Sequence, residues 1–122
     1  MKNASVTGAA LHRQRCTPCE GHGGALSPAR VAKLLRQLPE WRLTRDGRAI
    51  EREIRLENFD RAISFVNALA WIAQDQGHHP DFTVQGAYCR VRFSTHGLEA
   101  LTENDFICAA RVDRLAPEAK EA

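Results

Sequence analysis

The sequence predicts an α+β domain in the order α-β-β-α-β-β-α, because three stretches with helical hydrophobic spacing enclose two pairs of strand-like stretches. Two hairpins and three helices in this order are typical of an antiparallel four-stranded sheet with helices packed on one face. The chain has 122 residues, which is enough for one domain with one hydrophobic core. We expect this single domain at residues 26–116, between a flexible N-terminal tail at 1–25 and a C-terminal tail at 117–122.

Each predicted helix begins at a residue that caps helices well. Ser27, Asn58 and Thr102 can each accept a hydrogen bond from the first helical turn, and Asp105 completes a capping box with Thr102. The second helix is expected to end just before Gly77, since glycine readily adopts the left-handed conformation that closes many helices. Helical spacing predicts a buried face for each helix. The faces are Val31, Leu34, Leu35 and Leu38 in the first, Phe59, Ala62, Ile63, Val66, Leu69, Ala70 and Ala73 in the second, and Ile107, Ala110 and Leu115 in the third.

The strands are predicted from alternating apolar and polar residues. The first pair covers residues 41–44 and 49–56 around a turn at Asp46-Gly47, and the second pair covers 82–84 and 88–95. In the last strand, alternation places Cys89, Val91, Phe93 and Thr95 on one face, and the opposite parity holds Gly86, Tyr88, Arg90, Arg92, Ser94 and His96.

Charge and hydropathy exclude several classes of function. Seventeen basic and fifteen acidic residues give a net charge of +2, which is too balanced to indicate nucleic-acid binding. No apolar run approaches the roughly 18 residues that a membrane helix needs, and the N-terminus lacks the apolar segment of a secretory signal. We therefore expect a cytoplasmic protein with no nucleic-acid and no membrane partner.

Without a secretory signal, the four cysteines are expected to be reduced thiols; they are Cys16, Cys19, Cys89 and Cys108. Cys16 and Cys19 form a C-x-x-C motif, but it follows no predicted strand, which weakens a thioredoxin-like interpretation. His12, Cys16, Cys19 and His22 have ligand types that zinc accepts. The loops between these residues are short for four ligands from one segment, and we expect no bound metal.

Three of the five histidines lie between residues 75 and 105. His78 and His79 follow the second predicted helix and are held by Pro80, whereas His96 ends the last predicted strand. Histidine has an unperturbed pKa near neutrality, so such a cluster suits proton transfer to and from a small molecule. The negative end of the helix dipole also favours the imidazolium form just beyond a helix C-terminus.

His78-His79-Pro80, His96 and Asp105 stand at the relative spacing of a family signature, and with them the chain resembles the pterin-4a-carbinolamine dehydratases. The resemblance covers most of the chain and is far more specific than any one of these residues alone. Further matching segments are Cys16 to Gly21, Pro39-Glu40-Trp41, Asn58-Phe59 and residues 104–110.

The resemblance implies a hydro-lyase of the 4a-hydroxytetrahydrobiopterin dehydratase class that needs no cofactor. Family members remove water from the pterin 4a-carbinolamine left by aromatic amino acid hydroxylases and yield quinonoid dihydropterin. Carried over by position, the catalytic residues are His78, His79 and His96, with His78 and His96 as the main proton-transfer groups at the surface of a pocket. Substrate binding is assigned to His79, Pro80, Tyr88 and Asp105. The implied partners are the pterin, further copies of the chain in a homodimer or homotetramer, and an aromatic amino acid hydroxylase.

The chain departs from the family pattern in three places. Gln74 stands where an acidic residue is usual, Gly86 stands where an aromatic residue is usual, and Glu99-Ala100 stands where two glycines are usual. We expect Gly86 to leave a gap on the strand face that carries His96. Loss of the glycine pair would strain a turn that needs positive φ.

Each of these residues also has a purely structural explanation. The capping box alone would explain Asp105, and the histidines can be polar turn or strand-end residues. A second hypothesis therefore makes the protein a non-catalytic dehydratase-like binding or assembly factor, for example one associated with Rubisco or the carboxysome. The presence of all three histidines favours the enzyme, because a binding role requires no proton-transfer groups.

Overall fold

The computed structural model describes residues 11–17 and 24–117, and in this part of the chain it has the predicted order of elements. These elements are α1 (Pro28–Leu35), β1 (Arg42–Leu43), β2 (Ile50–Arg55), α2 (Phe59–Gln76), β3 (Asp81–Gln85), β4 (Tyr88–Phe93) and α3 (Glu103–Leu115). The α+β prediction is confirmed. Among the described helices, none combines the length and the apolar character that crossing a bilayer requires.

The four strands form one antiparallel sheet in the order β1-β2-β4-β3. Because β3 and β4 are joined by a tight turn, Gln85 pairs with Tyr88 at the closed end of this hairpin, and Asp81 pairs with Arg92 at the open end. The chain that enters β3 and the chain that leaves β4 therefore meet at the same end of the sheet.

One face of the sheet carries the core, as the alternation predicts. Cys89, Val91 and Phe93 of β4 are fully buried, and Ile50 and Ile54 of β2 lie beside them. Sequence alternation did not identify Arg52 as a buried residue, although it shares this face and is only 7% exposed. Its guanidinium forms an ion pair with the carboxylate of Asp113 in α3, which also accepts a hydrogen bond from Trp41 Nε1.

The helix ends are set by the capping residues that the sequence predicts. Ser27 Oγ accepts from the backbone N–H of Arg30, and Asn58 Oδ1 accepts from that of Arg61. Gly77 follows α2 at a φ of 66°, a left-handed conformation that costs glycine little. Thr102 and Asp105 make both hydrogen bonds of a capping box at the start of α3.

The buried face of α2 differs from the prediction. Phe65 is buried, whereas Phe59 and Ile63 are exposed by 58% and 38%. Apolar residues occupy two adjacent stripes of this helix, and periodicity alone cannot say which stripe meets the sheet. The buried side chains of α2 are Ala62, Phe65, Leu69, Ala73 and Gln76.

Part of the predicted N-terminal tail packs on the domain. Residues 11–17, called the N-terminal segment below, place Leu11 in the hydrophobic core with 2% exposure. The backbone N–H of Cys16 donates to Gln76 Oε1 at 2.9 Å, and the guanidinium of Arg111 donates to the carbonyl of Gln14. These seven residues differ from the expected flexible tail. The rest of both tails, residues 1–10, 18–23 and 118–122, lies outside the described residues.

Candidate active site

The histidines lie at the open end of the β3–β4 hairpin. Gly77 turns the chain out of α2, so that His78, His79 and Pro80 bridge the helix to the first residue of β3. Beyond β4, Thr95 makes an isolated antiparallel bridge with Ala100. The sheet therefore brings residues 77–80 and 95–100, which are distant in sequence, to the open end of the β3–β4 hairpin.

His78 and Asp105 form a buried pair at this place. His78 Nε2 lies 2.6 Å from Asp105 Oδ1, and the two residues are 5% and 0% exposed. The other carboxylate oxygen, Oδ2, accepts from Thr95 Oγ1 and from the backbone N–H of Thr102, each at 2.9 Å. Since every donor is on a helix cap or a strand end, the carboxylate is held rigidly and fixes the imidazole in turn.

The pKa of His78 is raised above its ordinary value, although burial alone would lower it. The hydrogen bond that His78 donates to Asp105, the negative charge of that carboxylate and the charge of the Cys16 sulfur outweigh the loss of hydration. The imidazole also stacks on the Phe93 ring, with centroids 6.0 Å apart and an interplanar angle of 10°. The protein therefore favours a protonated imidazole at this position. His78 was expected at the surface of a pocket, and its burial corrects that expectation.

His79 and His96 are both exposed, and each directly follows a residue that is bonded to Asp105. His79 follows His78 directly, and Pro80 after it is half-buried. His96 follows Thr95, whose hydroxyl shares Asp105 with His78. An aqueous small molecule at this end of the sheet could therefore reach the two exposed imidazoles beside the buried one.

Tyr88 lies at the opposite end of β4. It pairs with Gln85 next to the hairpin turn, and its ring lies 4.9 Å from the guanidinium carbon of Arg55. Ser94 lies six positions after Tyr88 in the chain, a span of about 20 Å at about 3.3 Å per residue. The structure therefore does not bring Tyr88 together with the histidines of its own chain.

Gly86 is a turn residue rather than a strand residue. Its φ is 57°, and a Cβ built on it would meet nothing within 4 Å. The expectation that Gly86 leaves a gap on the strand face of His96 is therefore wrong, because the turn takes it to the far end of the hairpin. Glu99 does adopt a positive φ of 54°, as expected for a position where the family pattern has glycine.

Thr95 is the site residue that sequence reasoning assigned only to the core. It continues the buried alternation of Cys89, Val91 and Phe93, yet it is polar and fully buried. Its hydroxyl lies 2.8 Å from Thr102 Oγ1 as well as bonding to Asp105. A polar side chain at a buried position needs a hydrogen-bond partner. The polar Thr95 in an otherwise apolar alternation was therefore the sequence signal for this contact.

Within residues 11–17 and 24–117, no group of three or more histidine, cysteine, aspartate or glutamate side chains is placed to hold a metal ion. The zinc interpretation involved Cys19 and His22, which lie outside the described residues. Cys16 instead approaches Cys108 of α3. A cavity of about 550 Å³ lies near Thr17, Gly24 and Glu103, but none of the three histidines lines it.

Residues 24–115 match the family described as Pterin 4 alpha carbinolamine dehydratase. A Legionella pneumophila (strain Corby) protein named "Putative pterin-4-alpha-carbinolamine dehydratase" is 49% identical over 106 residues, covering 86% of this chain and 94% of the relative. A protein of the same name from Stenotrophomonas maltophilia (strain R551-3) is 46% identical over 108 residues, covering 88% of this chain and 93% of the relative.

Two solved structures have a similar fold. A transcriptional coactivator/pterin dehydratase from Brucella melitensis gives a TM-score of 0.74 at 26% identity, covering 77% of this chain and 100% of that chain. A pterin dehydratase-like protein described as a RuBisCO assembly factor in the alpha-carboxysome gives a TM-score of 0.56 at 23% identity, covering 66% of this chain and 93% of that one. The second likeness concerns the fold alone.

Proposed function

The chain belongs to the pterin 4 alpha carbinolamine dehydratase family, and from this premise we propose that it removes water from a 4a-hydroxytetrahydropterin to give quinonoid dihydropterin. The observation that carries the proposal is the buried His78–Asp105 pair, in which His78 Nε2 lies 2.6 Å from Asp105 Oδ1. The exposed imidazoles of His79 and His96 follow at the same end of the sheet. A purely structural capping acid needs only the backbone N–H of Thr102. Here the same carboxylate also raises the pKa of a histidine.

The proposed reaction is an elimination without any change of oxidation state. The bond from C4a to its hydroxyl oxygen breaks, the oxygen leaves as water after receiving a proton, and a ring nitrogen of the pterin loses a proton. One group must donate a proton while another accepts one. Imidazoles suit both tasks near neutral pH, because each can hold or release a proton there.

We assign the two tasks by burial and by charge. The raised pKa of His78 favours its protonated form, which suits a donor to the leaving oxygen. His96 is exposed and suits an acceptor for the nitrogen proton. His79 directly follows His78 and is exposed, and we assign to it the binding and orientation of the pterin, with Pro80 beside it. Asp105 is a positioning residue, because it acts through His78 and Thr95. Tyr88 has no part in this assignment, since it lies at the far end of β4.

The proposal includes a physiological setting. A 4a-carbinolamine is the pterin product of aromatic amino acid hydroxylation, so the expected upstream partner is a hydroxylase of that class in the cytoplasm. We also propose that the protein acts as a homodimer or homotetramer. The exposed apolar residues Phe59 and Ile63 on α2 support self-association, because isolated monomers seldom leave such residues together in water.

A direct assay tests the proposal. A 4a-hydroxytetrahydropterin is generated in solution, and its loss is followed by absorbance with and without the protein. We expect decay well above the spontaneous rate, and the same rate after exhaustive chelation with EDTA. Tyr88→Phe is a matched control, which should keep the wild-type rate because its ring lies away from the histidines. A spontaneous rate at saturating protein would reject the enzyme and favour the non-catalytic binding or assembly role.

A further inference from the structure

The N-terminal segment brings Cys16 against Cys108 in the middle of α3. The two sulfur atoms are 3.4 Å apart, although the residues are 92 positions apart in the chain. Cys108 is fully buried and Cys16 is half-buried, so Cys16 is the more accessible residue of the pair. We propose that Cys16 and Cys108 are a redox modification site, at which a reversible disulfide fastens the N-terminal segment to α3.

The approach of the two sulfurs is supported by hydrogen bonds from the backbone of Cys16 and Thr17 to side chains of α2 and α3. Thr17 N donates to Asn104 Oδ1 at 3.0 Å, and Asn104 Nδ2 donates back to the Thr17 carbonyl at 2.7 Å. Cys16 N is anchored separately to Gln76 at the end of α2. A disulfide needs a sulfur separation of about 2.05 Å. The hydrogen bonds hold Cys16 and Thr17 against α2 and α3, and the sulfur separation of 3.4 Å leaves a gap of about 1.4 Å to close.

The two thiols differ in a way that suits an attacking and a resolving cysteine. The hydrogen bond with Cys108 lowers the pKa of Cys16 against the effect of burial, and the positive charges of His78 and Arg111 add to this. The same hydrogen bond and burial raise the pKa of Cys108. Cys16 is therefore the more readily deprotonated thiol of the two, and the thiolate is the reactive form of cysteine. Cys89 is also buried, and burial raises the pKa of its thiol, so it is an internal control.

The oxidation balances with one molecule of hydroperoxide. The Cys16 thiolate attacks one oxygen of hydrogen peroxide, the O–O bond breaks, and Cys16 becomes a sulfenic acid, while the hydroxide that leaves takes a proton from solvent and becomes water. The Cys108 sulfur then attacks the Cys16 sulfur, and the hydroxyl leaves as a second water with the Cys108 proton. Two thiols lose two electrons to the peroxide, and a dithiol reductant reverses the change. Formation of this disulfide does not require the dehydratase activity.

Peptide mapping tests the pairing. Reduced full-length protein is treated with stoichiometric hydrogen peroxide, blocked with an alkylating agent and digested with trypsin without reduction. Cleavage after arginine separates Cys108, in peptide 93–111, from Cys89, in peptide 62–90, while Cys16 and Cys19 share peptide 16–30. We expect peptides 16–30 and 93–111 to be linked, with the loss of two hydrogen atoms, and to separate on reduction.

The variant Cys19→Ser decides between the two cysteines of the first peptide. The link to peptide 93–111 should persist in Cys19→Ser and disappear in Cys16→Ser, while Cys89→Ser should behave as wild type. A disulfide within peptide 16–30, a link that needs Cys19, or conversion of Cys16 to higher acids without any link would each overturn the proposal.

Thermal unfolding provides a second readout that needs no variant to be active. Oxidised wild type should melt at least about 5 °C above reduced wild type, because the disulfide closes a long loop in the unfolded chain. Cys108→Ala should show the same melting temperature before and after peroxide. Equal melting temperatures for oxidised and reduced wild type would contradict a fastening role.

Discussion

At the residue scale, the His78–Asp105 pair connects protonation to stability. The pKa of His78 is raised in the folded protein, so the folded state holds this proton more tightly than the unfolded chain does. The stabilisation is complete below the unfolded pKa of about 6.5. It is lost as the pH rises through the folded pKa of His78.

Asp105→Asn measures this linkage, because asparagine can still accept the capping hydrogen bond but removes the charge beside His78. We expect the gap in unfolding free energy between wild type and Asp105→Asn to be larger at about pH 5.5 than at about pH 9. Urea denaturation at both pH values gives the two gaps. His96→Ala, at an exposed histidine, is the control and should change the free energy little at either pH. A gap that grows with pH would contradict a charged pair.

At the element scale, the turn before α3 holds a strained residue. Glu99 has a φ of 54°, a conformation that glycine adopts freely and that costs other residues about 1–2 kcal/mol. Glu99→Gly should therefore raise the free energy of unfolding by about 0.5–1 kcal/mol, after allowing for the added entropy of the unfolded chain. Chemical denaturation measures the change. Leu98→Gly in the same turn is the matched control and should lower the stability, because its φ is not positive. A less stable Glu99→Gly would show that the turn is not strained.

The element order was predictable because its signals are local. Ser27, Asn58 and Thr102 each bond to a backbone N–H within three residues, so the helix starts can be read from short motifs. The buried side of α2 was not predictable, since Ile63 and Phe65 belong to neighbouring apolar stripes and only packing selects between them. Gly86 was mispredicted for a different reason, because local alternation does not show that the chain turns between Gln85 and Tyr88.

The candidate site was predictable only in part. The histidines and Asp105 could be chosen from their spacing, because the family resemblance preserves it. The bond from Thr95 to Asp105 depends on two elements that meet only in the folded sheet. The position of Cys16 likewise depends on a contact with Cys108 across most of the chain. Such long-range pairs leave no periodic signal in one sequence.

At the scale of the whole molecule, α2 presents apolar side chains to water. Phe59, Ile63 and the half-buried Val66 recur at helical spacing on one side of the helix. We expect a dimer or tetramer in sedimentation equilibrium at micromolar concentration. Ile63→Glu should shift the population towards smaller species, because it places a charge on this stripe. The neighbouring exposed Ser64 is the matched control, and Ser64→Glu should leave the assembly unchanged. A monomeric wild type would contradict the expectation.

The central claim is that imidazoles at the open end of the β3–β4 hairpin transfer the protons of dehydration. Its most direct test is the single-turnover rate of carbinolamine loss in His78→Asn and His96→Ala, measured on variants whose circular dichroism shows a folded state. Removal of general acid or base help should lower each rate by about 10²-fold or more, while Tyr88→Phe should retain the wild-type rate. Wild-type rates in both histidine variants would contradict the account.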